Sequence, residues 1–104
     1  MKRILLAIAT VAAGVATLSP ALADQQLATA KNCMTCHAVD KKLVGPSFKD
    51  VAAKYGSQKD ATDKLSAKII KGGAGAWGPV PMPANPQVSA DEAKKLVDWI
   101  LTVK

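Results

Sequence analysis

The clearest periodic signal lies at the end of the chain. Leu96, Ile100 and Val103 recur at i, i+4, i+7, with Ala93 on the same stripe and Trp99 at its edge; apolar residues at that spacing share one face of a helix. Ser89 and Glu92 stand at the N-cap and N3 positions, the pattern of a capping box. Asp91 and Glu92 fall at the positive end of the helix dipole and Lys104 at the negative end. A second amphipathic stretch runs from Asp60 to Lys71, with Leu65 and Ile69 inward, Lys64, Lys68 and Lys71 outward, and Gly72-Gly73 as its stop. Phe48 to Tyr55 reads as a third, between Ser47 as N-cap and Gly56 as stop, and Gln25 to about Cys33 as a short opening helix. No stretch makes a convincing strand. The pattern predicts an all-α domain of four helices.

Two segments break the helical pattern. Between Gly72 and Ser89 lie four prolines (Pro79, Pro81, Pro83, Pro86) and three glycines; structureless loops of that length in a small domain are usually functional. At the other end, Lys2 and Arg3 precede an apolar run from Ile4 to Leu18 that closes on Ala21-Leu22-Ala23. That is the layout of a secretory signal peptide. The run is about 15 residues, short of the ~20 needed to span a bilayer. Cleavage after Ala23 is therefore expected, dividing the chain into a leader, residues 1–23, and one domain, residues 24–104, with no membrane span.

Removing the leader changes the charge balance. The chain has 14 Lys plus Arg and 8 Asp plus Glu, formally +6. Loss of Lys2 and Arg3 leaves 12 basic residues, all lysine, against the same 8 acids, or +4. The lysines are scattered and aromatic residues are few, which argues against nucleic acid. An acidic protein surface suits the excess better. A mature domain of 81 residues also has a thin core and needs a staple. A disulfide between the two cysteines would close a tiny loop and add little; a buried, covalently held apolar cofactor would serve better.

The chemistry is concentrated in Cys33-Met34-Thr35-Cys36-His37, a C-x-x-C-H run that matches the signature of c-type haem attachment. Two cysteines three apart stand about one helical turn apart. Both thiols can then add to the two vinyl groups on one haem edge, and the following histidine is held beneath the ring facing the iron. A thioredoxin-like dithiol would need a βαβ setting, which is missing from the pattern. A zinc site needs four protein ligands, or three plus an open position, and Cys33, Cys36 and His37 are the only thiol and imidazole groups of the mature chain. A structural disulfide leaves the histidine unexplained.

A haem iron held by one histidine has a sixth position to fill. The candidates are Met34 and Met82, since Met1 leaves with the leader. Met34 lies inside the attachment loop and cannot reach the opposite face. Met82 sits in Gly78-Pro79-Val80-Pro81-Met82-Pro83, where prolines stiffen the backbone on both sides of the thioether. His37 and Met82 are thus the expected axial ligands, an arrangement that raises the potential relative to two histidines. The competing readings are a five-coordinate haem open to gases or peroxide, which would make the protein a haem peroxidase or gas-binding protein, and a subunit permanently held in a larger reductase.

These residues together resemble the bacterial class I cytochromes c of the small c-551, or c8, type. The resemblance covers Asp24 to Lys104. It rests on Cys33 to His37, Leu43-Val44-Gly45-Pro46, Asp50-Val51-Ala52-Ala53-Lys54, Trp77-Gly78-Pro79-Val80-Pro81-Met82-Pro83, and the closing Asp91-Glu92-Ala93 to Trp99 helix. It implies a compact four-helix fold around one covalent haem c, and a one-electron carrier rather than an enzyme. It also implies that the Pro46 carbonyl meets the free imidazole N–H of His37, and that the Trp77 indole N–H reaches an inner haem propionate. Lys68, where some relatives have arginine, would add a cation near the propionates; Phe48, Trp99 and Tyr55 are assigned to packing. By the same resemblance the protein would be periplasmic, reduced by the bc1 complex and donating to a cytochrome cd1 nitrite reductase or a haem-copper oxidase; a monomer is expected. Contact would be through a haem edge ringed by Val44, Val80 and Ala84 and rimmed by Lys41 and Lys42.

Overall fold

The computed structural model describes residues 19–104, together with Thr10 and Gly14. Most of the leader expected over residues 1–23 lies outside the described residues. Four α-helices follow one another: α1 (Pro20–Ala30), α2 (Phe48–Tyr55), α3 (Ala61–Lys71) and α4 (Ala90–Ile100). No strand occurs among the described residues, and the all-α prediction holds.

Helix α4 organises the rest. Its capping box is complete: Glu92 N–H donates to Ser89 Oγ at 3.1 Å, and Ser89 N–H donates to Glu92 Oε1 at 3.1 Å. One face buries Ala93, Leu96, Val97, Trp99 and Ile100, and Leu96 and Val97 lose all contact with solvent. Burying a side chain of that kind contributes roughly 1.5–3 kcal/mol. Val103, the last residue of the predicted stripe, falls beyond the helix but still lies partly buried against the core. The helix tightens before reaching it: Thr102 turns both its N–H (2.9 Å) and its hydroxyl (2.6 Å) back onto the Trp99 carbonyl.

Helices α1, α2 and α3 each pack against α4. α3 buries Ala61, Leu65 and Ile69, the inward positions of its pattern. α2 starts at the predicted cap, where the buried Ser47 Oγ accepts from Asp50 N–H at 3.0 Å. The opening helix departs from expectation at both ends. It begins at Pro20, with Ser19 as its N-cap, because proline at the first turn has no N–H to leave unsatisfied. It stops at Ala30, because Asn32 takes the left-handed conformation (φ 67°) and opens a 3₁₀ turn over Cys33–Thr35. Asparagine is among the few side chains that tolerate this region. Lys31 then ties α1 to the start of α4, donating to the Gln87 carbonyl at 3.0 Å and pairing with Glu92 at 3.2 Å.

Candidate functional site

The 3₁₀ turn brings the C-x-x-C-H run onto one side of the molecule. Cys36 N–H (3.3 Å) and His37 N–H (3.0 Å) both donate to the Cys33 carbonyl. Both thiols are free, and they and the imidazole line the same cavity. Burial pushes the Cys33 thiol up from its ordinary value, partly offset by a backbone hydrogen bond at Cys33. Such a thiol holds little thiolate near neutrality and is poorly suited to dithiol exchange.

The chain then folds back beneath the imidazole. Gly45 N–H donates to the Cys36 carbonyl at 2.7 Å, and Phe48 N–H to the Ala38 carbonyl at 2.9 Å. These bonds set the Pro46 carbonyl 2.8 Å from His37 Nδ1. A carbonyl can only accept, so the proton of this bond sits on Nδ1, and in the neutral imidazole Nε2 keeps its lone pair. Phe48 stacks on the imidazole (centroids 5.1 Å apart, planes at 22°) and meets Trp99 edge-on (5.4 Å, 76°). The histidine is thus held from two sides, by the first residue of α2 and by Pro46 just before its cap.

The far wall is the proline-rich loop. Gly73 and Met82 face each other in an antiparallel bridge, each N–H donating to the other's carbonyl, at 3.0 and 2.7 Å. Gly72, at φ +77°, makes the sharp exit from α3; a Cβ there would come 2.6 Å from the Met82 carbonyl oxygen. Asn85 closes the loop: its Nδ2 donates to the Ile69 carbonyl at 2.8 Å, and its N–H reaches the Ile69 and Ile70 carbonyls at 3.2 Å. Two of the orphan carbonyls at the end of α3 are thereby satisfied. Met82 is partly buried against the core, its backbone fixed to a helix end.

Between these walls lies a cavity of about 290 Å³, its floor formed by Leu65, Ile69, Leu96 and Ile100 of α3 and α4. All the residues singled out in the sequence border it: Cys33, Cys36, His37, Pro46, Lys68, Trp77 and Met82. Lys68 is half-buried rather than pointing fully outward, its stem lying over Gly73. Trp77 is 43 % exposed at the cavity mouth, as are Val44 (58 %) and Val80 (62 %). The donor set fits a covalent haem: two thiols on one edge, an imidazole with Nε2 free, a thioether on the facing loop, and an apolar interior. Among the described residues no group of three or more His, Cys, Asp or Glu is placed to hold a metal ion directly.

Sequence reasoning missed the residues that place these donors. A Cβ at Gly45 would lie 2.6 Å from His37 Cε1, so only glycine fits beneath the ring. Phe48, expected to pack only, packs on Trp99 and also stacks on the imidazole. Asn85 carried no signal beyond membership of a Gly/Pro-rich loop, and Gly73 none beyond ending a helix.

Comparison with known proteins places the chain in a class. The family model for cytochrome c matches residues 22–104, and the chain belongs to the cytochrome c family. Its relatives narrow this to the small class I, c8-type members. It is 56 % identical over 80 residues to cytochrome c-551 of Azotobacter vinelandii (77 % of this chain, 96 % of the relative). It is 50 % identical over 104 residues to cytochrome c-552 of Hydrogenobacter thermophilus, covering 100 % of both. The crystal structure of Nitrosomonas europaea cytochrome c552 superimposes with a TM-score of 0.75 at 51 % identity, covering 77 % of this chain and 99 % of that one. Members of the family carry one covalently attached haem c and are electron carriers, not enzymes. This chain is a small electron-transfer haem protein.

Proposed function

We propose that the protein is an exported one-electron shuttle whose haem is joined to Cys33 and Cys36 and whose iron is held by His37 Nε2 and Met82 Sδ. One observation carries this reading. The four donors come from two separate segments yet line one apolar cavity, while His37 Nδ1 is already committed to the Pro46 carbonyl. When bound, the haem supplies the Fe(III)/Fe(II) couple, taking up and releasing one electron with no bond made or broken.

The protein's contribution is to hold its ligands still. Pro46 fixes the imidazole's tautomer and tilt and raises its basicity. The Gly73 bridge and Asn85 hold the Met82 thioether at one height above the floor. Trp77 and Lys68 stand at the mouth, where the propionates of a haem joined at Cys33 and Cys36 would be met by an indole N–H and an ammonium. A ligand set that changes little between oxidation states keeps reorganisation low, and the apolar floor keeps water out.

The exposed Leu43, Val44 and Val80 beside the site, with Lys41 and Lys42 exposed next to them, suit brief docking on an acidic redox partner. Such encounter surfaces are small, below about 1,200 Å². The reading includes a periplasmic location after cleavage at Ala23, a monomeric state, a bc1-type donor, and a nitrite reductase or oxidase as acceptor. The 23–24 bond lies inside α1, so cleavage would precede winding of that helix. Among the described residues no helix is long and apolar enough to cross a membrane.

Met82→Ala is the test. It removes the weak far-red sulfur-to-iron band of the ferric protein and lowers its potential. Unchanged spectra would eliminate Met82 as ligand. Rapid binding of carbon monoxide by the wild-type ferrous protein would favour the five-coordinate alternative.

A further inference from the structure

The wall of the site between the Gly73–Met82 bridge and α2 is weakly built. Residues 74–81 include two glycines in the left-handed region, Gly75 (φ +95°) and Gly78 (φ +113°), closed on each other by a 3.1 Å hydrogen bond. Among the described residues, one hydrogen bond joins this segment to the rest of the molecule. Lys54, at the end of α2, donates from Nζ to the Ala76 carbonyl at 3.0 Å. The same ammonium lies 4.6 Å from the centroid of the Trp77 ring. Trp77 borders the cavity yet is 43 % exposed, so core packing on its own does not hold it there.

We propose that Lys54 is a positioning residue for the redox site, its ammonium fastening the 74–81 segment and the Trp77 ring to α2 at the mouth of the haem cavity. The inference rests on the proposed haem site and adds a residue to it. A cation over an indole face is attracted by the ring quadrupole, and a charged donor to a carbonyl makes a stronger hydrogen bond than a neutral one. Both contacts come from one side chain on a rigid helix, so they fix the ring's height and its rotation together. Trp77 then presents its N–H to the cavity in one orientation. The ammonium also places a permanent positive charge beside the site, which favours Fe(II) over Fe(III).

The experiment compares wild type with Lys54→Met and Lys54→Arg, each haem-loaded. It reads two quantities: exchange of the Trp77 indole N–H with solvent by NMR in the ferrous state, and the reduction potential. The indole of Trp99, which is 7 % exposed, is the internal reference. Lys54→Met keeps the stem and loses the donor and charge. Trp77 exchange is expected to quicken by about tenfold, the factor that 1.4 kcal/mol represents, with Trp99 unmoved and the potential lowered. Lys54→Arg keeps donor, charge and affinity for an aromatic face, and is expected to stay close to wild type on both readouts. Unchanged Trp77 exchange in Lys54→Met overturns the proposal, whatever the potential does; so does an arginine variant that behaves like methionine. A wild-type protein without a haem c spectrum would instead refute the underlying haem site.

Discussion

Replacing Gly45 by alanine measures how firmly the imidazole is held. Gly45 is not among the glycines in the left-handed region, so alanine meets no backbone strain there and the cost is steric. The new Cβ would lie 2.6 Å from His37 Cε1, 2.9 Å from Nδ1 and 3.2 Å from Nε2. Carbon atoms in favourable contact are about 3.5–4.0 Å apart, so close to 1 Å of overlap has to be relieved. The ring cannot simply slide away, because Phe48 stacks on it at 5.1 Å and the Pro46 carbonyl holds Nδ1 at 2.8 Å. Overpacking costs about 1–3 kcal/mol, and weakening the hydrogen bond about 0.5–1.5 kcal/mol more. With a urea m-value of about 1–3 kcal/mol/M for a small domain, a combined loss near 3 kcal/mol lowers the midpoint by roughly 1–3 M. The assay is urea unfolding of the haem-loaded protein, followed by Soret absorbance and far-ultraviolet circular dichroism. Gly75→Ala is the control: its Cβ would meet nothing within 4 Å, so it bears only backbone strain of roughly 1–2 kcal/mol and keeps its potential. If Gly45→Ala stayed within about 0.5 kcal/mol of wild type, the range of an ordinary surface substitution, the imidazole would not be clamped as described.

Three further outcomes follow from other parts of the structure. Asn85→Ala loses the Nδ2 bonds to Ile69 (2.8 Å) and Pro83 (3.3 Å); it is expected to cost about 1–2 kcal/mol and, on heating, to lose the far-red band before helicity, whereas simultaneous loss would place Asn85 outside the ligand loop's support. The Ser89 backbone N–H and then Lys31 hold the Glu92 carboxyl below its ordinary value of 4.5, so its stabilisation is present above that value and is lost as pH falls through the lower, folded-state one. The gap in urea midpoint between wild type and Glu92→Gln is therefore constant near neutrality and closes under acid; a gap that persisted there would assign the effect to shape rather than charge. Oxidation of the ferrous protein by hexacyanoferrate(III), a small anion, slows as salt rises if exposed Lys41 and Lys42 set the local field, and replacing both by glutamine flattens that dependence.

How much of this was legible beforehand depends on the kind of constraint. Helices α2 and α4 could be read because an apolar stripe and a capping residue both encode the same boundaries, Ser47 and Ser89 capping as their neighbours suggest, and α3 because its stripe ends on Gly72. The opening helix buries little besides Ala28, so no stripe marks its extent. Its ends are set by Pro20 and by the left-handed Asn32, which are local backbone effects. The donors Cys33, Cys36, His37 and Met82 stood out because few residue types can do their chemistry and the chain has few of them. Gly45, Gly73, Asn85 and Lys54 did not. Each acts through its backbone, its lack of a side chain, or a contact distant in sequence, and in a string of glycines, prolines and lysines such roles look like ordinary loop or surface.

The same distinction explains how so small a domain holds a redox centre. Leu65, Ile69, Leu96 and Ile100 belong at once to the helical core and to the cavity floor, so the centre of the fold and the centre of the site are one place. The proposed donors hang from that core by bonds to main-chain groups: His37 by its N–H to the Cys33 carbonyl and its Nδ1 to the Pro46 carbonyl, Met82 by its backbone to Gly73, with Asn85 anchoring the loop to the end of α3. Main-chain bonds of this kind order few flexible side chains, and freezing a side chain costs up to about 2 kcal/mol. A group bound at the folded centre also stabilises the folded state. On the proposed ligation, ligand placement and core formation are therefore the same event, and the ligands lie between helices and not on their regular faces.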